Sequence, residues 1–153
     1  MQISDILKPE AVKNLTSCTS KKRLFHDLGD IADAAYGFGP DAVINALMER
    51  ESLGPTGVGH GIALPHARMP ALEGVHGMFL RLEKPLDFDA VDRQPVDLVF
   101  ALLAPEEAGV EHLKALALVS RTMRDTDMRA KLRANADSVT LHTILTAAQA
   151  QAA

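Results

Sequence analysis

The chain has 153 residues, enough for one domain with a core of its own, and its 47% apolar and 24% charged residues are the balance of an ordinary soluble globular protein. A net charge of −4, with no lysine- or arginine-rich block, excludes nucleic acid as the main partner, because binding a phosphate backbone needs a basic face. With no Trp and one Tyr, the core must be aliphatic.

The first residues, "MQISDILKPE", lack the basic start and apolar run of a signal peptide. Residues 11–17, "AVKNLTS", suggest a first strand. Cys18 is the only cysteine, so no internal disulfide can form and a reducing compartment fits. No apolar run approaches the ~20 residues that span a bilayer. A cytoplasmic protein without membrane insertion is therefore expected. Residues 20–39, "SKKRLFHDLGDIADAAYGFG", predict a helix: Ser20 suits the N-cap, Leu24, Leu28, Ile31 and Ala35 recur at helical spacing, and Gly37 and Gly39 stop it. Pro40 suits the first turn of a second helix, 40–54, with Val43, Leu47 and Met48 inward and Gly54 ending it.

The period then changes. Residues 56–67, "TGVGHGIALPHA", are strand-like. Residues 75–88, "VHGMFLRLEKPLDF", alternate, and 95–105, "PVDLVFALLAP", are apolar from Leu98 to Ala104, as in a strand buried on both faces. A mostly buried helix over 109–125, a short basic-faced helix over 126–135 and a last helix over 137–153 complete the chain. No repeat or long linker interrupts it. The expectation is a single α/β domain, 1–153, with a mixed sheet covered by helices on both faces and a C-terminal tail frayed from about 147.

Along 57–66 the even positions are Val58, His60, Ile62, Leu64 and His66, and the odd ones are Gly57, Gly59, Gly61, Ala63 and Pro65. One face of such a strand is nearly bare. Tight packing against a helix accounts for that; backbone N–H groups free to meet an anion are the other reading. Pro65 cannot donate to a ladder, so pairing should fail there and leave His66 at the strand's end, where ligand sites of α/β sheets gather. A structural or solvated histidine is the plain alternative. Arg50, in the last turn of the second helix, offers a bidentate donor for a phosphate or simply a cation near a helix C-terminus. His112, near the start of the helix "GVEHLKAL", lies where anions are favoured or is a surface histidine in a first turn. One nucleophile and two donors suit phosphoryl transfer better than acyl or glycosyl chemistry.

The segment "RESLGPTGVGHGIALPHAR", 50–68, resembles the active-site segment of the enzyme IIA proteins of the bacterial phosphotransferase system, mannitol/fructose class. "PVDLVFALLAPEEAGVEHLKALALVSR", 95–121, resembles the same family, and the resemblance runs over roughly 3–145. The form "LGPTGVGHG" is similar to the nitrogen-regulatory branch, in which a free-standing IIA, with no attached IIB or IIC part, controls other proteins. The resemblance implies a three-layer α/β/α sandwich with a small mixed sheet. It implies that His66 is the phosphorylated nucleophile, that His112 lines the pocket and hydrogen-bonds there, and that Arg50 pairs with the phosphate. His60, Gly61 and Arg68 are further pocket-lining candidates. His60 stands where the family often has asparagine, and Ala67-Arg68 where Gly-Lys is usual.

The implied donor is a histidine phosphocarrier protein of the HPr or NPr type. The implied partners are regulated proteins such as transporters or kinases. The alternative within the family is the soluble IIA component of a fructose/mannitol-type permease, passing the group to a IIB domain. Either is a phosphohistidine relay rather than turnover of a small-molecule substrate. A neutral imidazole is nucleophilic near pH 7 because its ordinary pKa is about 6.5. No cofactor is implied: the donor is itself a phosphohistidine, and no P-loop motif is present. After His66, "ARMPALEG" is expected to form a loop that shows Ala67, Met69 and Leu72 beside Arg68 as a docking surface.

Two readings lie outside the family. A metal site of His60, His66, His76 and His112 would need a fold-back, since six residues of straight strand put His60 and His66 about 20 Å apart. A binding module whose histidines do no chemistry is the other.

Overall fold

The computed structural model describes residues 1–70, 72–107 and 109–152, without the side chains of 148–152. The apolar run predicted as a doubly buried strand is the spine of the sheet: β6 (Val96–Pro105) is covered on both faces from Leu98 to Ala104. On one side it pairs antiparallel with β5 (His76–Leu86), which runs parallel to β1 (Val12–Leu15). On its other side it runs parallel to β3 (Ile62–Ala63) and then β4 (His66–Met69), and β3 pairs antiparallel with β2 (Gly57–Gly59). Among the described residues this is one six-stranded mixed sheet.

Helices cover both faces. On one, Arg81 of β5 donates to the carbonyls of Leu132 and Arg133 at the end of α5 (Thr126–Arg133). On the other, His76, of opposite parity in β5, lies against Tyr36 at the end of α2 (Lys21–Tyr36), ring centroids 4.6 Å apart. α2 packs on α3 (Pro40–Ser52), while α4 (Val110–Arg124) and α6 (Ser138–Ala152) pack with α5. The expected α/β/α layering is the one observed. Ser20 caps α2 by accepting the Arg23 N–H at 3.1 Å, and Gly37 closes it at φ 75°.

Four expectations need correction or addition. The chain opens with a four-residue helix, α1 (Ile3–Ile6), and a 3-10 turn at Pro9–Ala11, both too short to show a period. Met48 does not face inward. It is 37% exposed, and Ile44 joins Val43 and Leu47 in the core. Ile44 presses on α2 at Gly29, where an added Cβ would lie 2.7 Å from Ile44 Cγ1.

Residues 57–66 are not one straight strand. Gly59, His60 and Gly61 all have positive φ, at 100°, 58° and 78°, so the chain reverses through His60–Gly61 and the even/odd reading breaks there. The glycines serve that turn and close approaches: a Cβ on Gly57 would sit 2.8 Å from that of Ala90, and one on Gly61 would meet the Arg133 guanidinium. Finally, "HARM" is strand rather than loop. Ala67 and Met69 are buried, and Leu72 is partly buried against the core. The tail expected to fray from about 147 continues the backbone of α6 as far as Ala152, and residue 153 lies outside the described residues.

Candidate functional site

Pro65 interrupts the sheet as expected. Pairing with β6 stops at Ala63 and resumes at His66, yet the register is kept, since Ile62 faces Leu98 and His66 faces Leu102. The step is held from both sides. The Leu64 N–H donates to Thr56 O at 2.9 Å, and the Leu102 N–H donates to Pro65 O at 2.9 Å. That leaves the Leu64 carbonyl for a side chain, and His66 Nδ1 lies 2.8 Å from it. A carbonyl only accepts, so Nδ1 carries the proton and Nε2 carries the lone pair of a neutral ring.

His66 is half-buried, and burial is the main reason its pKa lies below the ordinary value; the Arg50 charge adds to this, while the Leu64 bond and Glu51 oppose it. His112, in the first turn of α4, is 5% exposed and meets His66 with ring centroids 5.7 Å apart and planes tilted 49°. Its pKa is also lowered, by burial first and then by His66 and Arg68. His112 Nδ1 is enclosed without a hydrogen-bond partner among the described residues.

Arg50, in the last turn of α3, donates from Nη1 to Gly54 O at 2.9 Å. Arg68, two residues after His66 in β4, is exposed on the same side of that strand. Ala46, Glu49, Arg50 and Leu53 of the α3 end, His66, Ala67 and Arg68 of β4, and His112 of α4 line one open cavity of about 410 Å³. It holds a histidine with a free lone pair, a second histidine and two guanidinium groups. That set can receive and stabilise an anionic group in transfer. A larger hollow of about 670 Å³, between Met1, Glu73, His76 and Lys114, has one half-buried histidine and no such convergence.

Arg50, His66, Arg68 and His112 thus come together, while His60 and Gly61 do not. Those two line a separate hollow with Asp92, Asp97 and Arg133, because the hairpin turns them away; the His60 N–H donates to Asp92 Oδ2 at 3.1 Å. His76 lies against Tyr36 and Phe38. Among the described residues no three His, Cys, Asp or Glu side chains converge as metal ligands. The residue reading missed Glu51 and Thr56. The Glu51 carboxylate, 8% exposed, accepts from Thr56 N, Thr56 Oγ1 and Lys21 Nζ at 3.0, 2.5 and 2.9 Å. The signal in the sequence was an acid in a helix's last turn, five residues before a threonine.

These environments predict a pH dependence. His66, His76 and His112 have folded-state pKa values below the ordinary one, each chiefly through burial. As pH falls below about 6.5 the unfolded chain takes up protons first, so stability is full above that pH and is lost as pH falls through the lower folded-state values. Each histidine contributes a slope of up to about 1.4 kcal/mol per pH unit. Urea titrations at pH 7.5 and 5.5 should show the lower stability at 5.5; equal stabilities would contradict the burial argument.

The chain matches the family described as "Phosphoenolpyruvate-dependent sugar phosphotransferase system, EIIA 2" over residues 5–148. A nitrogen regulatory protein of Bradyrhizobium diazoefficiens is 46% identical over 153 residues, which is 100% of both chains. A fructose-specific EIIA component from Haloferax volcanii is 37% identical over 131 residues, 85% of each chain. The crystal structure of nitrogen regulatory protein IIA-Ntr from Neisseria meningitidis superposes with a TM-score of 0.86 at 35% identity, covering 94% of this chain and 99% of that one.

Proposed function

The chain belongs to the EIIA type 2 family of the phosphoenolpyruvate-dependent sugar phosphotransferase system, and we propose that it is a phosphoryl carrier that takes the group on His66 Nε2 and regulates partner proteins by its phosphorylation state. The observation that carries this reading is the hydrogen bond from His66 Nδ1 to Leu64 O, which frees Nε2 in a cavity with Arg50, Arg68 and His112. The functional unit in this reading is the whole of 1–153. No helix among the described residues is long and apolar enough to cross a membrane, and a carrier of this kind works in the cytoplasm.

The step is an in-line transfer. The Nε2 lone pair forms a bond to phosphorus as the nitrogen–phosphorus bond to the donor's histidine breaks, and the donor imidazole leaves with that electron pair. The His66 proton stays on Nδ1 against Leu64 O. The protein's share is position and charge: Arg50, Arg68 and His112 line the same cavity as the acceptor and are the donors for the phosphoryl oxygens in this reading. Incubation with a phosphorylated histidine carrier protein should add one phosphoryl group by intact mass, acid-labile and alkali-stable. No adduct would contradict the reading. His112→Ala and Arg50→Lys should each fold and accept roughly 10²-fold more slowly, by analogy with loss of one charge-stabilising donor. Wild-type rates in rapid-quench experiments would assign the pocket to other residues.

Regulation follows from charge. A phosphohistidine adds nearly two negative charges at the cavity mouth, beside Leu53, which is 81% exposed. A partner seated on that rim when it is unmodified would have to bury the new charge. Affinity capture with wild type, phosphorylated wild type and His66→Ala should yield a protein held by the first and third and released by the second. Likeness to nitrogen regulatory proteins favours this reading. The 37% identity to a fructose-specific EIIA component favours a second one, relay to a IIB domain. Capture indifferent to phosphorylation, together with transfer from the phosphorylated protein to a IIB domain, would decide for the relay.

A further inference from the structure

Glu51 is the neighbour of Arg50 in the last turn of α3, and its buried carboxylate closes the loop that follows. It takes both the N–H and the hydroxyl proton of Thr56, itself only 4% exposed, and is paired with Lys21. Two tethers leave that loop. Gly54 O accepts from Arg50 Nη1 at 2.9 Å. Thr56 O accepts from the Leu64 N–H at 2.9 Å, and Leu64 O in turn accepts from His66 Nδ1 at 2.8 Å. A relay of hydrogen bonds, joined through the backbones of Thr56 and Leu64, therefore runs from Lys21 and Glu51 to the imidazole.

We propose that Glu51 and Thr56 are positioning residues for phosphoryl transfer: their carboxylate–hydroxyl pair fixes the loop whose Gly54 carbonyl aims Arg50 and whose Thr56 carbonyl holds Leu64, the residue whose own carbonyl sets the tautomer of His66. The inference rests on His66 being the acceptor. If the loop loosens, Leu64 N–H loses its acceptor and Leu64 O is free to turn from Nδ1. The ring then gains the alternative tautomer, with the proton on Nε2, and the nucleophilic lone pair is lost from the cavity. A pair that only closed a helix end would affect stability and leave the folded-state tautomer alone.

The test is long-range proton–nitrogen NMR of protein labelled with ¹⁵N-histidine at pH 8, with phosphoryl acceptance measured in parallel. Wild type should show His66 as the Nδ1–H tautomer. Thr56→Val keeps the shape and removes the hydroxyl; it should populate the Nε2–H tautomer and accept roughly tenfold more slowly. Thr56→Ser restores the hydroxyl and should restore both readouts. Should Thr56→Val not fold, Glu51→Gln, which keeps the side chain's shape, is measured in its place with the same expectation. A wild-type tautomer and wild-type rate in the folded variant would overturn the proposal, whatever its stability. If wild type itself accepts no phosphoryl group, the acceptor reading fails, while the tautomer measurement still decides whether the pair positions the ring.

Discussion

His66→Ala is expected to fold and to take up no phosphoryl group from a carrier that loads the wild type within the same experiment. The residue opens β4, whose ladder to β6 is made by main-chain groups that alanine also has. The ring is only half-buried and itself lines an open cavity, so its removal extends that cavity toward the Leu64 carbonyl it leaves. A change of about 1 kcal/mol or less in stability is expected. The chemical loss is complete because His112 is no substitute. It is 5% exposed, with Nδ1 enclosed, and its ring centre is 5.7 Å from that of His66. Intact mass after incubation reads the result. An adduct on the variant at the wild-type rate would move the acceptor elsewhere.

Phe100→Ala should cost about 3–5 kcal/mol, a large part of the roughly 5–15 kcal/mol by which such domains are stable. Phe100 lies mid-way along β6 with no exposed surface, edge-on to Phe79 at 6.1 Å between ring centres. Its diagonal neighbour in β5, on the side of α1, is Gly77, which faces Leu102 and where a Cβ would come within 2.8 Å of the Phe100 ring. Glycine there makes room for the ring and has nothing with which to fill the hole left by alanine. Urea denaturation of the two proteins measures the difference. A loss below about 1 kcal/mol would mean that the core around β6 relaxes around the cavity, contrary to its close packing.

The elements that were legible are those whose sequence carries a local cause. The run Leu98–Ala104 reads as a strand buried on both faces, Ser20 and Gly37 bracket α2 by capping chemistry, and Pro65 breaks the ladder because it lacks an N–H. The β2–β3 hairpin was not legible in the alternation of 57–66. Its turn depends on a non-glycine residue, His60, at φ 58°, held by Asp92 from a distant loop and by Arg133 from α5. That one reversal removes His60 and Gly61 from the pocket where the family motif suggested them. The segment after His66 is strand because it pairs with β6 in the register β3 sets, which turns Ala67 and Met69 into the core. Arg50, His66 and His112 stood out in the residues as a nucleophile and two donors, each beside a plain structural explanation, and the resemblance added their implied roles; the fold brings the three to one cavity. The Glu51–Thr56 pair depends on how a helix end meets the next loop, a tertiary fact that no periodicity encodes.

The most direct test of the central claim is the site of the phosphoryl group itself. Wild-type protein labelled with ¹⁵N-histidine, phosphorylated by its carrier and kept at alkaline pH, gives long-range proton–nitrogen and phosphorus–nitrogen couplings that identify the modified atom. The hydrogen bond from Nδ1 to Leu64 O predicts a single phosphoryl group on Nε2 of His66, with Nδ1 still protonated. A group on Nδ1 of His66, on His112, or on any other residue would contradict it.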